Sequence, residues 1–158
     1  MSYSTIQRRI SASISLAESS SRNIAASSGT TIPFDSFSDL VGNSSSSFSV
    51  NSGLITLPSG YWYLVKGTIQ ARFSQKTGYV KYIWQDSNST DLGRRGTLIM
   101  QEQPQLFGGD EIAVCLIDAN SSSVTIKLVI ESISNVTSLN NTTDQRVAGW
   151  SRAEIWQI

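Results

Sequence analysis

Residues 57–73, "LPSGYWYLVKGTIQARF", decide how the rest of this chain is read. Tyr61, Tyr63, Val65, Ile69, Ala71 and Phe73 alternate onto one face, as a half-buried strand requires. The opposite face runs Trp62, Leu64, Lys66, Thr68, Gln70, Arg72. It should be wet, yet it starts apolar and turns polar only after Leu64. Something has to cover Trp62 and Leu64.

The same doubling appears at 111–119, "EIAVCLIDA", which is apolar on both faces. An outer strand of a solvated monomer should not be. Further on, "SVTIKLVIES" places Val124, Ile126, Leu128 and Ile130 on one side, with Thr125, Lys127 and Glu131 on the other. In 79–86, Val80, Tyr82 and Trp84 alternate as core residues do. Around these segments the chain reads as strands at 32–37, 48–51, 54–57, 61–74, 79–86, 96–102, 111–118, 124–133 and 147–157. Turns are expected at 51–53, 58–60, 86–93, 107–110 and 118–123, where Gly, Pro, Asn, Asp and Ser collect. The expected class is all-β and antiparallel.

Residues 1–29 differ. They are rich in serine and alanine and poor in aromatic residues. Ile6, Ile10 and Ile14 recur at helical spacing, whereas Ile10, Ala12, Ile14 and Leu16 alternate as in a strand. Serine and β-branched residues are poor helix formers, which favours an extended arm with room for one short helix. Such a segment cannot bury its isoleucines alone. The organisation expected is an N-terminal arm, 1–29, followed by one domain, 30–158.

Composition limits the chemistry. The 158 residues suit a single domain with a real core. Twelve basic residues balance twelve acidic ones, which argues against a nucleic-acid partner with its clustered basic face. Apolar runs fall far short of a membrane span, and no export signal is read at the N-terminus. The chain has no histidine, which removes the commonest general base and zinc ligand. The carboxylate pairs that remain, Asp110–Glu111 and Asp86 with Asp91, fall at expected turns, where acidic residues are ordinary. Neither "LGRRG" nor Gly108–Gly109 has the spacing of a phosphate loop. The one cysteine, Cys115, sits among apolar neighbours as a buried thiol would. Asn43, Asn88, Asn120, Asn135, Asn140 and Asn141 head Asn-x-Ser/Thr triplets, read here as turns rather than glycan acceptors. The reading is therefore of a non-enzymatic protein without cofactor or metal.

"LPSGYWYLVKGTIQARF", "LFGGDEIAVCLIDA", "VTIKLVIES" and a closing "AGWSRAEIWQI" together resemble the jelly roll of tumour necrosis factor and of complement- and collagen-type globular heads. Gly60–Tyr61, Gly109–Asp110 and Gly149–Trp150 match that family's turn-to-strand junctions over about residues 48–158, and Arg152 and Glu154 depart from its closing strand. The resemblance implies a homotrimer. Trp62, Leu64, Ala113, Cys115 and Ile117 would then lie in the subunit interface; the alternative cover is a loop or the arm of the same chain. Short trimers of this kind, with a serine-rich arm, resemble small virion proteins of tailed bacteriophages, made in the host cytoplasm. One role is a head-decoration (cement) protein, with Ile6, Arg8, Arg9, Ile10 and Ile14 as anchor to the major capsid protein. The other is a tail-tip or fibre head that binds a host surface receptor.

Overall fold

The computed structural model describes residues 10–15, 27–34, 36–39, 48–100, 108–139 and 151–158. Among them are thirteen strands and no helix. Eleven strands form one curled sheet and two form a separate ribbon. One limb runs β2 (Ser36–Asp39), β1 (Ile10–Ser15), β13 (Arg152–Gln157), β5 (Trp62–Thr68), β10 (Ala113–Asp118). The sheet continues through β8 (Asp91–Met100), β7 (Gly78–Asp86), β11 (Val124–Ser134), β4 (Leu54–Leu57) and β3 (Ser49–Asn51), and β9 (Gly108–Glu111) pairs with β8. β6 (Ala71–Phe73) and β12 (Val136–Leu139) make the ribbon. The pairings among these strands are antiparallel.

The two limbs face each other across one core. Tyr63 and Val65 of β5, Ala113, Cys115 and Ile117 of β10, and Ala153 and Ile155 of β13 come from the first limb. Val80, Tyr82 and Trp84 of β7 meet them with Ile126, Leu128 and Ile130 of β11 and Ile55 and Leu57 of β4. Ile32 and Phe34 close this core from a segment that runs beside β11, where Ile32 N–H donates to the Leu128 carbonyl at 2.8 Å. In the core, Tyr82 and Trp84 keep their polar ends satisfied. Tyr82 Oη donates to the Glu111 carbonyl at 3.0 Å, and Trp84 Nε1 donates to that of Ala113 at 3.3 Å. Buried donors left unpaired would cost about 1–3 kcal/mol each.

The limbs are joined at a single pair, Val114 with Arg94. Gly93 makes that approach possible. Its φ is +67°, and a Cβ there would sit 2.2 Å from the Val114 carbonyl oxygen. No other residue fits both conditions.

Several expectations need correction. The strand expected over 61–74 is two strands, β5 and β6, with a break at Ile69–Gln70. The turn expected over 86–93 ends sooner: β8 starts at Asp91 and its register slips opposite Tyr82–Trp84, so Gly93 marks a bulge. Residues 108–110 belong to β9 rather than to a turn. The strand expected at 32–37 lies at 36–39. Residues 10–15, within the stretch expected as an arm, form β1, bonded to β13 on one side and β2 on the other. A strand between two partners satisfies its backbone groups on both sides, which a free arm leaves to water.

Candidate functional site

With Tyr63 and Val65 pointing inward, strand alternation turns Trp62, Leu64 and Lys66 outward. The register then fixes what lies beside them. Leu116 pairs with Leu64, and Leu64 pairs with Trp156, so three apolar side chains form one row across β10, β5 and β13. Trp62, Ile112 and Ile158 extend the patch, 38%, 42% and 55% exposed, and Leu116 is 55% exposed. Charged residues border it: Asp118 pairs with Trp62, and Lys66 pairs with Glu154. Lys66 Nζ lies 5.7 Å from the centre of the Trp156 ring, a cation–π contact that also shields the indole. Trp156 Nε1 is buried without a hydrogen-bond partner. An apolar row with a charged rim is the composition of a protein-contact surface.

The sequence placed Trp62 and Leu64 on this face, and the structure leaves them there. It corrects the other three interface residues. Ala113, Cys115 and Ile117 point into the chain's own core, and a surface partner cannot reach them. Their neighbours Val114 and Leu116 face outward instead. The signal for this parity was Asp118, which shares their side of the strand and reaches solvent. Trp156 and Val114 were missed altogether. Of the expected anchor residues, Ile6, Arg8 and Arg9 lie outside the described residues, and Ile10 and Ile14 belong to β1.

The carboxylates singled out earlier have local partners. Asp86 Oδ1 accepts the Asn88 and Thr90 N–H groups, both at 2.8 Å, and so shapes the β7–β8 turn. Asp91 accepts from Gln85 Nε2 at 2.9 Å. Glu111 holds Arg94 at 2.6 Å. The side chain of Asp110 is outside the described residues. Among the described residues no group of three His, Cys, Asp or Glu could hold a metal ion.

Burial pushes the Cys115 thiol up to about 12, so it is protonated at neutral pH. Burial likewise pushes Tyr82 up to about 12; a backbone hydrogen bond at Ile69 lowers it and nearby Glu111 raises it. Both groups are neutral in the fold at pH values where the unfolded chain ionises. Their contribution is present below pH 9–10 and is lost as pH rises towards about 12. Denaturant titrations should therefore show stability falling over that window by about 1.4 kcal/mol per pH unit for each group. A flat profile there would contradict the burial of both side chains.

No protein-family model matches the chain, and no curated protein matches it.

Proposed function

We propose that this chain is a non-enzymatic virion structural protein of a tailed bacteriophage, a jelly roll that assembles as a homotrimer and decorates the head. The observation that carries the proposal is the outward row Leu116–Leu64–Trp156. A soluble protein has little reason to hold two large aliphatic residues and an indole side by side on an open sheet unless another subunit covers them. The strand order supports the jelly-roll reading. The chain passes between the limbs at β2–β3, β4–β5, β5–β7, β8–β10, β10–β11 and β11–β13, the alternation that nested Greek keys require. The phage assignment rests on the resemblance of the sequence to small trimeric virion proteins.

A second reading, a tail-tip or fibre head recognising a host surface, is favoured by one observation. β1 ties residues 10–15 into the chain's own sheet between β13 and β2, a fixed strand where decoration calls for an arm that reaches the shell. Immunogold labelling of intact particles separates the two. Label over the head shell is expected; label confined to the tail tip would replace decoration with receptor binding. Particles with no label would end both readings.

A further inference from the structure

The apolar row has two unlike borders. Strand alternation turns Trp62, Leu64 and Lys66 of β5 outward, and the register sets Asp118, Leu116 and Val114 of β10 beside them. Asp118 therefore closes the row at the Trp62 end. Lys66 closes it at the other end, four residues along β5, which is about 13 Å at the rise of an extended strand. Neither charge has an ion-pair partner among the described residues, whereas their charged neighbours do. Arg94, paired with Val114, holds Glu111 at 2.6 Å. Glu154, opposite Lys66 on β13, has Arg152 at 3.9 Å. Lys66 leans instead over the Trp156 ring, with Nζ 5.7 Å from its centre. Asp118 is exposed, and its Oδ1 accepts the Asn120 N–H at 3.0 Å.

We propose that the Asp118 border of each subunit docks on the Lys66 border of the next, head to tail around the ring. The inference rests on the homotrimer reading and adds the direction of its contacts. A ring of three is built from heterologous contacts, in which unlike parts of the surface meet. This surface is unlike at its two ends, acidic at one and basic at the other. Covering the row takes water from both borders, and a charge left unpaired there is costly. A second copy of this chain supplies the opposite charge at each border, and closure of the ring leaves none over. Like borders brought together would set carboxylate against carboxylate and ammonium against ammonium.

The test is sedimentation velocity of the full chain and of charge-reversed variants over a range of concentrations. Asp118→Lys and Lys66→Glu each place like charges at all three contacts. Each should raise the concentration of half-assembly about tenfold or more. Combined in one chain they restore opposite charges at every contact, and most of that loss should be recovered. Two merely structural defects would add rather than cancel. Mixing the two single variants should give less assembly than the double variant. Any ring of three made from two kinds of chain sets two like chains side by side, so one contact stays mismatched. The unmutated trimer should also loosen as salt is added, because screening weakens the pair, and this readout needs no variant to fold. A monomeric unmutated chain overturns the homotrimer reading and this inference with it. A trimer that neither reversal weakens overturns the inference alone. So do a double variant no better than the singles, a two-subunit complex in the mixture, or assembly that salt does not weaken.

Discussion

Leu116→Asp is expected to yield a folded chain that no longer assembles. Leu116 is more than half exposed in the single chain, so a carboxylate there meets water and costs the isolated fold little. In the proposed trimer the same position is covered in every subunit. Each buried leucine contributes about 1.5–3 kcal/mol, so three lost together remove several kcal/mol before the desolvation of three carboxylates is counted. Sedimentation velocity should show a monomer with an unchanged far-UV spectrum. Ile117→Asp, one residue along, should behave differently. Ile117 is 5% exposed and belongs to the core, so its carboxylate has no route to water and the chain itself should unfold. A stable monomer for the unmutated chain at micromolar concentration would remove the assembly proposal, and so would an intact trimer of Leu116→Asp.

That contrast also shows what the sequence could and could not reveal. Trp62 and Leu64 stood out because they interrupt a face whose later residues, Lys66 and Thr68, are polar. A strand with polar residues on one side declares its parity. Residues 112–117 are apolar on both sides, so their parity depends on pairing with β5, a contact set by the whole fold. Only Asp118, at the strand's end, marked the outer side. Gly93 misled for a related reason. Glycine signals a positive φ or a close approach, and both occur in turns and in bulges alike. Here Gly93 admits β10, and Gly96 leaves room for the Tyr82 ring, to which a Cβ would come within 2.3 Å. β1 was the least legible element. Its serines and isoleucines fit either an arm or a strand, and its partner β13 lies at the other end of the chain.

Trp84→Ala should be among the most destabilising single substitutions in the chain, and its effect should depend on what stands at position 67. The indole is fully buried, stacks on Phe34 at 6.5 Å, and donates from β7 to the Ala113 carbonyl on the opposite limb. Truncation of such a residue costs about 3–5 kcal/mol, a large part of the stability of a domain this size. Its ring lies against Gly67, which pairs with both Ala113 and Ala153 in the limb that carries Leu64. A Cβ at 67 would meet Trp84 Cζ2 at 2.9 Å and Leu128 Cδ2 at 3.0 Å. Gly67→Ala alone should therefore cost about 1–3 kcal/mol through overpacking. In the Trp84→Ala background the new methyl enters the vacated space, and the same substitution should become neutral or favourable. The coupling expected from denaturant unfolding at one fixed protein concentration is about 1–3 kcal/mol. Additive losses would mean that the indole does not bear on β5. The result matters beyond the core, because this contact sets the spacing of the limbs. If Trp84 holds β5 and β10 in place, its loss should also weaken assembly through an outer row that it never touches.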